Sequence, residues 1–273
     1  DANFLAIDPV ITGVNHFPVI TEVRVDGDDG LAQLAELMAD DTRRDEPLPF
    51  ALPPELGHEP RPEGTTWRKG DLLDINRVKL ELFRRFGALP GAGDRHLVEF
   101  FPGFVTEQSE WGKRWGVSLT TIEDRERDEA RYVRRLDEKL ETEKISDWPS
   151  GEMVAPLIDS LITGTLRTLP LNLPNAGQCP DLPAGVVVES MCFADADGVR
   201  GRDRATAPPF LAEHLRRLSA TQELTVEAAL SGRRDDVLAA LLSDPLTSRL
   251  DYQATEQMMN ELLDATSPWL PQF

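Results

Sequence analysis

The apolar and polar positions of one early segment, FPVITEVRVDG (17–27), form an apolar, β-branched run, which predicts a β-strand closed by the turn-forming DGDDG. The period then changes. LAQLAELMAD (31–40) predicts a short amphipathic helix, and in DLLDINRVKLELFRRFG the residues Ile75, Val78, Leu82 and Phe86 recur at helical spacing. Asp74 is the expected N-cap of that helix and Gly87 its stop. Between these segments, Asp40 to Gly70 is rich in Pro and charge and reads as a long surface excursion. GDRHLVEFFPGF (93–104) predicts a helix start broken by Pro102.

Further along, TTIEDRERDEARYVRRLDEKLETEK predicts an exposed, charge-laced helix. SGEMVAPLIDSLITGTLRTL carries less charge and is expected to be the more buried of the two. Two strand-like runs follow, TLPLNLPN and AGVVVESMCFADADG. A helical tail comes last, in four pieces: PPFLAEHLRRLSA, TQELTVEAALSG, RRDDVLAALLSD and YQATEQMMNELLDAT. In the last of these, Met258, Met259, Leu262 and Leu263 group as a packing surface, read first as intrachain core. The class implied is α+β, helix-dominated, with one small mixed or antiparallel sheet.

Composition narrows the partners. With 273 residues, 40% hydrophobic and 28% charged, the chain has the makeup of an ordinary globular protein able to bury a substantial core. The formal net charge of −19 argues against binding nucleic acid or an anionic membrane surface, since both need clustered cations. No apolar run approaches the roughly 18 residues of a membrane span. Cys179 and Cys192 form no CxxC pair or disulfide framework, which fits a reducing, cytoplasmic setting. The chain opens on DANFLAIDPVI, without an initiator Met or a signal-peptide pattern, which suggests that folded sequence precedes it.

The candidate chemistry lies in two clusters. Asn15 and His16 sit at GVNHF; a neutral imidazole is the commonest metal ligand, and the Asn amide can bind a sugar hydroxyl or a carboxylate. A satisfied structural histidine is the competing reading for His16. Asp94, Arg95 and His96 are consecutive after the Gly-rich PGAG: Asp94 could serve as a general base, Arg95 as an anion clamp and His96 as a proton shuttle, or Asp94 could simply cap a helix. His58 and His214 read as surface residues. No Ser–His–Asp order, nucleophile elbow or phosphate-binding Gly loop is present.

Taken in order, GVNHF, VKLELFRRFGALPGAGDRHLVEFFPGF, SGE (150–152), LPLNLPNAGQCPDLPAGVVVE and QELTVEAALSG…LAALLSDPL resemble glycoside hydrolase family 4, from about Gly13 to Pro245. The resemblance implies NAD- and Mn²⁺-dependent hydrolysis of α-glycosides, and a fold like the C-terminal domain of lactate and malate dehydrogenases. In that family NAD⁺ oxidises the sugar at C3, a metal ion polarises the C2 and C3 oxygens, and a base removes the acidified C2 proton. Elimination of the glycosidic oxygen, addition of water and return of hydride complete the cycle. Residues 1–273 would be the metal- and substrate-binding domain, with the NAD-binding Rossmann domain and a Cys metal ligand lying upstream of Asp1. Such a fragment is expected to be inactive alone.

His16 then matches the metal-ligating His of the family, and Asn15, Arg95, His96 and Asn175 match substrate-side positions, Asn175 equally well as a turn former. Where many members carry a Tyr base, this chain has Phe100; Asp94 becomes the expected base, and a sugar without a 6-phosphate the expected substrate. α-Glucosides, α-galactosides and uronides remain open, with Arg95 able to pair a uronate carboxylate. Family members are homo-oligomers, which extends to this chain as an expectation. A non-catalytic carbohydrate-binding or assembly module is the competing function. An NAD-dependent 2-hydroxy-acid dehydrogenase is disfavoured, because its His, Asp and Arg spacing is missing.

Overall fold

The computed structural model describes residues 7–48, 66–117, 119–142 and 153–273. The apolar, β-branched segment forms strand β2 (Phe17–Val25), which pairs antiparallel with β1 (Ile7–Val14), a strand that the polar–apolar pattern does not mark out. Val14 pairs with Phe17, so Asn15 and His16 are the tip of this hairpin. Gly13 fits beneath the tip because it has no side chain: a Cβ there would lie 2.4 Å from the Phe17 carbonyl oxygen.

Strands β3 (Asp28–Asp29) and β4 (Leu89–Pro90) extend the sheet beside β2. On the other side β6 (Val187–Asp195) joins β1 to β5 (Arg167–Pro174), and β7 (Gly198–Gly201) also pairs with β6. Every pairing among the described residues is antiparallel, so the α+β class with one small sheet holds.

Helix α1 (Gly30–Ala39) starts where Asp29 caps the amides of Leu31 and Ala32. After α2 (Lys69–Asp74) come α3 (Arg77–Phe86) and α4 (Asp94–Phe100), then α5 (Ile122–Thr142) and α6 (Val154–Thr163). The C-terminal part is α7 (Pro209–Ser231), α8 (Arg234–Ser243) and α9 (Tyr252–Thr266). The core forms where α3, α4 and α7 meet the β1–β2 hairpin and β6. Val14, Phe17, Val78, Leu97, Val188, Leu211 and Leu215 are all fully buried there. Each such side chain contributes about 1.5–3 kcal/mol on burial, so the hairpin tip stands on the best-packed part of the molecule.

Several expectations need correction. Asp74 does not cap α3: it ends α2 and pairs with Arg44 and Arg77. Helix α6 is the more buried of the two helices, as expected, lying beside β5 and β6 with Ser160 buried and Pro156, Leu157 and Asp159 partly so, although Val154, Ile158, Leu161 and Ile162 are exposed. The first two tail segments are one continuous helix, α7, since nothing between them breaks the backbone. Met259 and Leu263 are buried but Leu262 is 52% exposed, so the four-residue group is split by helical geometry.

Helix α5 is exposed along its described length, as its charge pattern predicts, and Gly87 ends α3 in the left-handed region at φ 76°. The flanks of the Pro-rich excursion meet through a bridge between Pro47 and Arg68. Its centre, with His58, and the SGE segment lie outside the described residues. No helix among the described residues is long and apolar enough to cross a membrane.

Candidate functional site

The hairpin tip carries the first cluster. His16 is exposed and adopts φ 64°, a left-handed backbone that L-residues other than Gly, Asn, Asp and His seldom take. Its ring lies 4.3 Å, centroid to centroid, from that of His96 at a tilt of 49°. His16 is therefore not a histidine buried in the core. Asn15, also exposed, directs its amide Nδ2 at Glu189 Oε2, 3.5 Å away on β6. Burial raises the Glu189 pKa, and the Asn15 amide opposes that shift.

The second cluster is at the start of α4. Asp94 is buried, and its two oxygens accept from the backbone amides of Val78 (2.8 Å) and Lys79 (2.9 Å). These amides lie in the first turn of α3, which has no side-chain cap of its own. Asp94 thus caps a neighbouring helix across space, fixing α4 against α3. Burial raises its pKa despite the two amide bonds and the nearby Lys79 charge. Its pH behaviour is that of a carboxyl held somewhat more basic than a free aspartate.

His96, about half exposed, lies 3.5 Å from Glu99 on the same helix. Asp94, Arg95 and His96 line a cavity of about 1140 Å³ together with Asn76, Lys79 and Trp111. Trp111 stands at this cavity and is 60% exposed, and Glu110 and Trp111 both take left-handed backbone, φ 52° and 55°. Such backbone costs about 1–3 kcal/mol per residue. The buried Ser109 hydroxyl offsets it by tying together Phe104, Thr106 and Gly112.

Asn175 is a correction. It is buried in its own loop, away from the cavity, and its Nδ2 donates to the carbonyls of Cys179, Leu182 and Pro183. Its Oδ1 accepts from the amides of Gly177 and Cys179. An amide so fully used has nothing left for a sugar. Asn175→Ala should lower unfolding free energy by about 3 kcal/mol, because three carbonyls lose their donor in a buried place. Urea denaturation would check it; a loss below about 1 kcal/mol would contradict this account.

Two nearby residues escaped the sequence reading. Glu189 could have been noticed as the lone charge within the apolar run GVVVESMCFA. Lys79 leaves no such signal, being one more polar position on an amphipathic helix.

Among the described residues no three His, Cys, Asp or Glu side chains converge into a metal cage. The exposed imidazole of His16, with that of His96 beside it, fits part of a divalent ion's coordination sphere. The rest of the donors would have to come from elsewhere in the protein.

The hairpin tip thus meets α4 through the ring contact of His16 with His96. The chain belongs to glycoside hydrolase family 4: the model of the family 4 glycosyl hydrolase C-terminal domain matches residues 11–247. An α-galacturonidase of Bacillus subtilis is 31% identical over 255 residues, covering 93% of this chain and 53% of that protein. An α-galactosidase of the same organism is 27% identical and matches 98% of this chain and 56% of its own length.

Among solved structures, a Bacillus subtilis protein described as a glucosidase superposes with a TM-score of 0.77 at 28% identity, covering 94% of this chain and 55% of that one. The 6-phospho-β-glucosidase of Thermotoga maritima, crystallised with manganese, NAD⁺ and glucose 6-phosphate, has the same fold at a TM-score of 0.65 and 19% identity. The chain spans about half the length of the curated relatives it matches.

Proposed function

We propose that this chain is the metal- and substrate-facing domain of an NAD-dependent glycosidase that cleaves α-glycosides, acting with a divalent cation of the Mn²⁺ type. The observation that carries the reading is the meeting of His16 and His96. Two imidazoles from distant parts of the chain are brought ring to ring, that of His96 at the wall of the large cavity.

In this reading His16 donates one nitrogen to the cation, and Asn15, held towards Glu189, orients a sugar hydroxyl. Arg95 and His96 contact the substrate from the cavity wall. Asp94 takes the C2 proton, its pKa raised by burial towards what a base needs. The bound nicotinamide and cation together supply redox and Lewis-acid activation of the sugar ring. This reading expects an NAD-binding domain in the half of the relatives' length that the chain does not span, and expects residues 1–273 to be inactive without it. A homo-oligomeric, cytoplasmic enzyme is the setting the family implies.

The experiment uses the intact polypeptide that carries this chain. Hydrolysis of an aryl α-glycoside should require both NAD⁺ and Mn²⁺, vanish with chelator, and in D₂O place deuterium at C2 of the released sugar. Turnover that survives removal of NAD⁺ would exclude the redox-elimination route.

A further inference from the structure

The turn at Glu110 and Trp111 is built against local preference. Two consecutive L-residues take left-handed backbone there, and the second carries the bulkiest of side chains. The turn is pinned from both sides. The Trp111 amide donates to the Thr106 carbonyl at 2.8 Å, and the Arg114 guanidinium holds the Glu110 carboxylate at 2.9 Å. The buried Ser109 hydroxyl closes it from within. Strained backbone of this kind persists only where its surroundings over-determine it, and it clusters at ligand clamps.

The strain does not serve core packing. Among the described residues no aromatic ring stacks on Trp111. Trp115, four residues on, shows the contrast: it is partly buried, with its ring edge-on to Phe104 at 4.7 Å. The exposed indole of Trp111 stands instead on the wall of the cavity that Asp94 and His96 also line.

That cavity has room for more than the reacting sugar. Its volume of about 1140 Å³ exceeds the roughly 300–1,000 Å³ of a typical small-ligand pocket. Its wall also includes Asn76, Thr120 and Arg125, side chains able to hydrogen-bond hydroxyls. A flat apolar platform in a polar cavity matches a pyranose ring, whose C–H face is apolar and whose rim carries hydroxyls. A plain aryl group would use the platform and leave the polar side chains without partners.

We infer that Trp111 is the stacking platform for a pyranose ring on the leaving-group side of the scissile bond. The inference rests on the glycosidase reading and deepens it by assigning the residue that recognises the leaving group. Trp111 is then a specificity-determining residue, separate from those that act on the reacting ring.

The intact polypeptide is titrated calorimetrically with Mn²⁺ and with NADH in place of NAD⁺, so that the sugar is not oxidised. Three pairs of probes differ only in the leaving group: methyl α-D-glucoside with maltose, methyl α-D-galactoside with melibiose, and methyl α-D-galacturonide with digalacturonate. In the pair bound most tightly, the disaccharide should exceed the methyl glycoside in affinity by about fivefold to fiftyfold, the range that stacking one ring gives. Trp111→Gly should bring that ratio to within about twofold, and Trp111→Phe should keep most of it. Glycine takes φ 55° without steric cost, so this variant loses the ring and keeps the turn. A Trp that only braced the fold would, once removed, weaken both members of a pair alike and leave their ratio unchanged.

An unchanged ratio in the folded Trp111→Gly variant overturns the platform, and so does equal affinity within every wild-type pair. Should Trp111→Gly fail to fold, protein carrying 5-fluorotryptophan decides. The fluorine resonance that Trp111→Phe removes should move with the disaccharide and not with the methyl glycoside, and a resonance that stays in place refutes the proposal. A 4-nitrophenyl α-glycoside bound more tightly than the disaccharide overturns the sugar assignment in favour of an aromatic leaving group. Turnover of the disaccharides with NAD⁺ is measured in parallel. A ratio that depends on the indole, without turnover, supports the platform and sinks the glycosidase reading; NAD⁺-dependent turnover with an unchanged ratio sinks the platform alone.

Discussion

Replacing His16 by Gly in the intact protein should abolish Mn²⁺-dependent turnover while leaving the protein as stable as before, or more so. The two effects have separate causes. His16 holds φ 64° at the hairpin tip, a conformation costing an ordinary L-residue about 1–2 kcal/mol and glycine nothing. The side chain is exposed, so removing it opens no cavity in the core. What it loses is a donor to the cation, and kcat/KM should fall by at least about a thousandfold, equivalent to roughly 4 kcal/mol of transition-state stabilisation.

Thermal melting with and without Mn²⁺ provides the second readout. Wild type should gain stability from the ion, and the Gly variant should gain little. A variant that keeps wild-type turnover at limiting Mn²⁺ would show that His16 serves the hairpin and not the cation.

Asp94→Asn should have the other large effect, and on both properties at once. As a cap, Asp94 satisfies the amides of Val78 and Lys79; Asn can accept from one and would present its own NH₂ to the other. A loss of about 1–2 kcal/mol in stability follows from weakening the cap. As a base, Asp94 cannot be replaced by an amide, and kcat should drop by about a hundredfold to ten-thousandfold.

The two roles separate cleanly in the measurement. If stability falls and kcat does not, Asp94 is a cap alone, and the base lies elsewhere. If the wild-type protein binds sugars without turning them over, the carbohydrate-binding module becomes the better account, with Phe100 in place of the Tyr base as its sequence correlate.

Much of the architecture follows from local pattern. The apolar, β-branched run in 17–25 produced β2, the helical period of α3 placed Val78 and Leu82 in the core, and Gly87 stopped that helix as its conformational freedom predicts. These features are legible because each depends on neighbours within a turn or a strand pair. The Asn15–His16 and Asp94–His96 clusters were equally visible, since their residue types are conspicuous and their spacing is short. Order along the chain was enough to bring the family resemblance into view, and the match over residues 11–247 agrees with it.

Tertiary structure decided everything that depends on separation in sequence. No local signal says that the ring of His16 touches that of His96, that Asp94 rather than Asp74 caps α3, or that Asn175 spends its amide inside its own loop. The extent to which α6 is covered could not be read either: its apolar positions Val154, Ile158, Leu161 and Ile162 stay exposed although the helix lies beside β5 and β6. Lys79 makes the same point most sharply. An ammonium is ordinary in any sequence, and it becomes informative only when packing half-buries it near Asp94 at the wall of a cavity. Residue chemistry is written in the chain, whereas desolvation and juxtaposition, which turn that chemistry into a site, exist only after the chain has folded.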